Sequence, residues 1–269
     1  MRRDMTKPDR PAMTANEDQF AAAAREINIL LRPLKIAWLA SWLAINTILV
    51  TLPIMLAAIL GSSGNFAFNL ARVWAWALLK VTGVSLSVSG REKIDRDQTY
   101  IIVSNHQSHF DGPAIAVGMG VQLRWIAKRE LLKIPVMGYA LKAMNNIFVD
   151  RTNKEKSISS IREGIERLPA GVSIMVFAEG TRSADGRIGK FKKGGFMVAL
   201  SESLPILPVT IIGSEKVLPK NSLLFQSHPI ELVIGDPIDT AQHSEDSIEE
   251  LMNQTRDIVI SNQRSQSPA

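Results

Sequence analysis

Residues 99–113, TYIIVSNHQSHFDGP, change character in the middle. Thr99 to Val103 is β-branched and aromatic, as a buried strand requires, and Gly112-Pro113 suits the first turn of a helix. Between them lies a polar turn holding two of the chain's four histidines, His106 and His109. A strand, a polar turn and a helix start in that order form the βα unit of an open sheet, whose strand ends carry functional groups. Asp111 fits two roles in this unit. It can cap the helix, or its carboxylate can face back to His106 and fix the ring tautomer, leaving the other nitrogen free to take a proton. Such a pair needs no nucleophilic side chain when a substrate supplies the hydroxyl. Ser108 lacks the Gly-x-Ser-x-Gly elbow of a serine nucleophile. His106, His109 and Asp111 fall in too tight a turn for a ready metal shell, and no metal is expected.

The same alternation extends to both sides. Val84–Val88, Thr99–Val103, Gln122–Ala127, Ile147–Val149, Ser173–Phe177, Ile206–Ile212 and Ile230–Ile234 predict strands. Pro113–Met119, Pro135–Met144, Asn153–Leu168 and Gly194–Ser203 predict helices, with Ile158, Ile161, Ile165 and Leu168 sharing one face. The expected fold class is α/β, with a mostly parallel central sheet flanked by helices over residues 83–240. A helix and tail are expected over 241–269.

Upstream the pattern differs. Residues 1–13 read as a disordered tail. Thr14 and Glu17 form a capping box for a helix that Pro33 is expected to interrupt near Arg32. From Ile36 to Leu60, 25 residues, there is no charge, which is long enough to enter or cross a bilayer. Gly61 to Asn65 reads as a turn, and Phe66 to Val81, holding Arg72 and Lys80, as a second helix with an interfacial face. Four of the five tryptophans (Trp38, Trp42, Trp74, Trp76) lie in this part, as suits a lipid–water boundary. Residues 14–82 are therefore expected to form a membrane-inserting helical hairpin. Lys and Arg on both flanks favour a hairpin that dips into one leaflet with both ends on the cytoplasmic side, the rival being a single full span that puts the catalytic domain outside.

Composition narrows the chemistry. The 269 residues include no cysteine, which excludes a thiol nucleophile, disulfides and thiolate metal sites. The net charge of +5 is uneven: Gly120–Gly195 holds 15 Lys and Arg against 7 Asp and Glu, whereas Asp236–Ala269 holds 2 against 7. A basic centre beside a membrane segment points to an anionic lipid or a phosphorylated substrate.

A second polar cluster, Phe177 to Ser183, again ends an apolar run. Gly180 allows close backbone approach, and its N–H is a candidate oxyanion donor. Arg182 presents a fork suited to phosphate, and Arg187, Lys190, Lys192 and Lys193 continue the positive charge.

The strings NHQSHFDGP (105–113), WIAKRELLKIPVMGYALKAMNNIFVDR (125–151), FAEGTRSADGRIGKFKKGGF (177–196) and LPILPVTIIGS (204–214) resemble, in order, the four blocks of the glycerolipid acyltransferases. The resemblance is greatest to bacterial 1-acyl-sn-glycerol-3-phosphate acyltransferases. It implies that His106 is the general base toward the sn-2 hydroxyl of lysophosphatidic acid and that Asp111 orients it. It further implies that Glu179, Gly180, Thr181 and Arg182 shape the acceptor site, that Lys128 and Arg151 help Arg182 hold the phosphate, and that Pro208 belongs to the acyl side. The implied donor is a thioester of acyl carrier protein or coenzyme A, with no cofactor. The other implied partners are membrane lipids and lysophosphatidic acid rather than nucleic acid, and the implied place is the inner membrane, catalytic domain on the cytoplasmic face. The chain departs from the pattern at Ala178, where proline is usual, and at Asn145, where glycine is common. Two other readings remain: acylation of another lysolipid, such as lyso-ornithine lipid or a remodelled lysophospholipid, and a metal-dependent phospholipid phosphatase using the His-Asp cluster.

Overall fold

The computed structural model describes residues 15–60, 64–150, 154–183 and 185–265. The 1–13 tail, Thr14 of the capping box, residues 61–63 of the expected turn, and Arg151 lie outside the described residues. The chain divides into two compact units, Met1–Trp42 and Leu43–Ala269.

In chain order the elements are α1 (Ala15–Ile59), α2 (Asn65–Val81), β1 (Leu86–Ser89), β2 (Ile101–Ser104), α3 (Asp111–Gly118), β3 (Gln122–Lys128), α4 (Met137–Ala143), β4 (Ile147–Val149) and α5 (Lys154–Glu166). There follow β5 (Val172–Phe177), α6 (Lys193–Ser201), β6 (Ile206–Ile212), α7 (Ser214–Val217), β7 (Ile230–Ile234) and α8 (Ile248–Ser265). The seven strands form one sheet in the order β1-β7-β6-β2-β5-β3-β4, parallel throughout except for the β6–β7 pair. All seven expected strands are present. The expected α/β class and parallel sheet are therefore observed.

The central strands are apolar on both faces because helices cover both. Ile101, Ile102 and Val103 of β2 are fully buried, as are Ile206, Leu207 and Val209 of β6, the pattern of a parallel sheet between two layers. On one side Ile174, Phe196, Ala199, Leu251 and Val259 join them in a continuous core. On the other, α2 packs on α3 and on β3.

One N-terminal expectation changes. Helix α1 runs unbroken through Pro33 and Pro53. Each proline removes one backbone donor, but the turns on either side continue the helix. Within α1, Leu31–Ile59 has 29 residues, and its most apolar 18-residue stretch has a mean hydropathy of 2.1, long and apolar enough to cross a membrane. Helix α2 has two unlike faces. It buries Ala67, Phe68, Ala75, Leu78 and Leu79 in the α/β layer, and exposes Phe66, Val73 and Trp76.

Register places the candidate groups at one end of the sheet. Ser104 pairs with Phe177 on one side and Val209 on the other, so the turns after β2 and β5 emerge side by side. Lys128 closes β3 at that same end.

Candidate active site

His106 is held at four points, three of them by residues more than 70 positions away in the chain. Its Nδ1 lies 2.7 Å from Asp111 Oδ2, and its backbone N–H donates to Glu179 Oε1 at 2.9 Å. Its carbonyl accepts from the Ser183 N–H at 2.7 Å, and its ring stacks on Phe177 with centroids 3.9 Å apart and planes 10° from parallel. Trp125 stacks behind Phe177 at 5.8 Å. Of the ring nitrogens, only Nε2 is without a protein partner among the described residues. With Nδ1–H donating to a carboxylate, Nε2 carries the lone pair.

Asp111 settles its two sequence roles in favour of His106. It is fully buried, and Oδ2 also accepts the N–H groups of Gln107 at 2.6 Å and Ser108 at 2.9 Å. Those donors precede its own helix, whose cap position is Phe110. The carboxylate therefore winds the turn around itself. Ser108 Oγ is committed to the Leu218 carbonyl at 2.9 Å and is fully buried, as a nucleophile would not be.

Asn105 does related work. Its amide donates to the Ile211 carbonyl at 2.9 Å and accepts the Ile211 N–H at 2.8 Å. A side chain thus takes the place of a strand residue and extends the β2–β6 ladder one step, fixing where the turn begins.

The second cluster divides. Glu179 is buried and spends both oxygens on backbone, on the His106 N–H and on the Gly189 N–H at 2.9 Å. It stitches the two turns together and does not point toward an acceptor. Gly180 is left-handed, with φ +70°, and its N–H donates to the Phe177 carbonyl at 3.0 Å, so the expected oxyanion donor is already engaged. Thr181 is exposed and Arg182 half-buried, and Lys220 Nζ holds the Arg182 carbonyl at 2.6 Å. Pro208 is buried inside β6, level with Val103. It is a packing position and not a lining of the open site. Lys128 is exposed at the end of β3.

The Arg182 cation acts on His109. Partial burial first, then the Arg182 cation and His106, hold His109 below its ordinary 6.5, against a smaller opposing pull from Asp111. Among the described residues no three His, Asp or Glu side chains converge as a metal shell. A cleft of about 450 Å³ opens beside Phe177, with Ile126, Val149, Ile161 and Met197 in its wall and Lys192 and Lys193 at its rim.

Asn105, Phe177 and Ser183 lie in the polar clusters but take no assigned role from sequence, and Lys220 lies in neither. Their roles depend on strand register and on loops 38 or more residues apart, which no local pattern carries. Asn145 adopts φ +56°, the left-handed conformation for which asparagine is a tolerable replacement for glycine.

Comparison with known proteins agrees with this geometry. The profile of the Acyltransferase family matches residues 85–212. The chain is 32% identical over 199 residues to a 1-acyl-sn-glycerol-3-phosphate acyltransferase of Pseudomonas aeruginosa, covering 72% of this chain and 75% of that one. It is 31% identical over 176 residues to the chloroplastic enzyme BAT2 of Brassica napus, covering 65% of this chain and 51% of that one. The chain thus spans about half the length of the chloroplastic relatives it matches. Among solved structures, the 1-acyl-sn-glycerophosphate acyltransferase PlsC of Thermotoga maritima superposes with a TM-score of 0.74 at 28% identity, covering 88% of this chain and 95% of that one. With the His-Asp turn, the sheet that presents it and these relatives in agreement, the chain belongs to the 1-acyl-sn-glycerol-3-phosphate acyltransferase family.

Proposed function

We propose that this protein transfers an acyl chain from a thioester of acyl carrier protein or coenzyme A to the sn-2 hydroxyl of 1-acyl-glycerol-3-phosphate, giving phosphatidic acid and a free thiol. The observation that carries the reading is His106 fixed through Nδ1 on buried Asp111, with Nε2 open at the end of the sheet. Nε2 takes the hydroxyl proton as the oxygen attacks the thioester carbonyl. The tetrahedral adduct collapses, the C–S bond breaks, and the thiolate recovers the proton from the imidazolium. General-base catalysis of this kind contributes about 10²–10⁴-fold. Asp111 offsets the transient positive charge on the ring. Arg182 with Lys128, and Arg151 outside the described residues, supply the cations for the acceptor phosphate.

The site sits on a membrane-associated chain. Ile45, Leu49, Leu52 and Leu56 of α1 are each more than half exposed, an apolar surface that lipid covers at little cost. At the catalytic end, Leu132, Ile134, Val136 and Tyr139 are exposed among Arg129, Lys133 and Lys142, a mixture suited to anionic headgroups. In this reading the enzyme works on the cytoplasmic face of the inner membrane, where acceptor and product reside.

The test is a thiol-release assay on the purified protein with both thioester donors and several lysolipid acceptors. Arg182→Ala should raise the KM for lysophosphatidic acid at least tenfold with a smaller change in kcat. An unchanged KM, or equal use of acceptors that lack a phosphomonoester, refutes the assignment.

A further inference from the structure

A cavity of about 320 Å³ opens at the end of the sheet remote from His106, lined by Asn65, Asn69 and Arg72 of α2, Arg96 ahead of β2, Gln122 at the start of β3 and Gly171 ahead of β5. The seven residues of β3 separate it from the catalytic end by about 20 Å. No Asp or Glu lines it. Arg72 and Arg96 form no ion pair among the described residues. The nearby Asp95 directs Oδ1 to the Asp97 N–H instead.

Behind the wall lies Arg124, the largest fully buried side chain. It donates to Asn65 Oδ1 at 2.6 Å, to the Leu123 carbonyl at 2.8 Å and weakly to Gln122 Oε1 at 3.4 Å. Its Nε has no partner, and no carboxylate pairs with it among the described residues. Burial lowers it to about 10, so it is a cation at neutral pH, and unpaired buried charge is costly.

A guanidinium only donates, and that dictates the direction of every amide around it. Asn65 and Gln122 must turn their oxygens inward to Arg124. Gln122 then donates from Nε2 to Asn69 Oδ1 at 2.9 Å. All three amide oxygens are consumed within the wall. What remains for the cavity is the N–H groups of Asn65 and Asn69 and the forks of Arg72 and Arg96: donors and positive charge without an acceptor among those side chains.

We propose that this cavity binds a phosphate group at a site separate from the acceptor phosphate near Arg182. The group is a phospholipid headgroup or free inorganic phosphate, which share the recognising chemistry. Phosphate oxygens match bidentate arginine forks and amide donors, and the anion supplies the counter-charge the Arg72, Arg96 and Arg124 cluster lacks. Exposed Phe66, Val73 and Trp76 on the same helix bring lipid headgroups within reach. Bound there, phosphate ties α2 to the starts of β3 and β5. The assignment stands independently of the acyl-transfer reading.

The test uses the full-length chain in maltoside detergent and phosphate-free buffer. Calorimetric titration is made with inorganic phosphate and with dihexanoyl-phosphatidylglycerol. Arg182→Ala serves as the parent, so that the acceptor site binds at least tenfold more weakly. Saturable binding is expected in the parent, and Arg72→Gln with Arg96→Gln should weaken it at least tenfold. The same pair of changes in the native chain should leave the acceptor KM within twofold. Asn69→Asp, a single exposed change that places an acid in the cavity, should abolish binding and serves if the double variant fails to fold. Binding of phosphatidylglycerol alone assigns the site to lipid, and equal binding of both probes assigns it to the phosphate group itself. No saturable binding in the parent, or binding unaltered by these substitutions, overturns the proposal.

Discussion

Replacing Asp111 by Asn isolates what the carboxylate charge contributes. Oδ2 accepts three hydrogen bonds, from His106 Nδ1, the Gln107 N–H and the Ser108 N–H, while Oδ1 is buried with no partner. An asparagine oxygen in the Oδ2 position keeps all three contacts and the ring tautomer. Its NH2 then occupies the Oδ1 position, trading one unsatisfied buried atom for another, so the fold should survive. What is lost is negative charge beside the imidazolium formed in the reaction. For charges about 4 Å apart at an effective dielectric near 20 the interaction is about 4 kcal/mol. The His106 side chain keeps 21% of its surface open, so water screens part of that, leaving about 2–4 kcal/mol, or roughly a 30- to 1000-fold fall in kcat. The assay is steady-state thiol release, with circular dichroism to verify folding and acceptor KM as the internal control. A kcat within threefold of the parent would show that Asp111 does not stabilise a ring cation, and that His106 is not the base.

Other perturbations separate positioning from binding. Glu179→Gln forces an NH2 against one of two backbone donors, the His106 or the Gly189 N–H; it should cost about 1–3 kcal/mol of stability and lower kcat more than it raises acceptor KM, and the reverse split would make Glu179 an acceptor ligand. His109 should titrate below 6.5 by NMR, because burial, Arg182 and His106 disfavour its cation. Its folded form then binds fewer protons than its unfolded form, so its contribution favours the fold above pH 6.5 and is lost as pH falls; a midpoint above 6.5 contradicts that environment. Changing Ile45, Leu49, Leu52 and Leu56 together to Gln removes about 2 kcal/mol of apolar transfer at each position. The variant should become extractable from membranes by alkaline carbonate, and retention would place the anchor elsewhere.

The expectation that Pro33 ends a helix shows where local rules stop. Proline removes one hydrogen bond and its ring crowds the preceding turn, but the turns on both sides of Pro33 carry the 45-residue α1 through it. The second helix shows another limit. Its amphipathic pattern is real, but periodicity does not say whether the apolar stripe meets lipid or protein. Phe68, Ala75, Leu78 and Leu79 are buried against protein, and Trp76 stays 52% exposed.

By itself the amino-acid sequence determined the alternation of strands and helices, the polar turns after β2 and β5, the spacing of His106 and Asp111, and the long uncharged segment. These are properties of neighbours within one turn or one strand, where periodicity and φ/ψ preference act directly. Tertiary structure alone decided which side chains meet. Parallel pairing of β2 with β5 sets Phe177 against His106 and carries Glu179 across 73 positions to the His106 N–H. The packing of α2 beside β3 set Asn65 and Gln122 around Arg124. Register and helix packing are chosen by the sum of distant contacts, so the roles that depend on them appear only once the chain is folded.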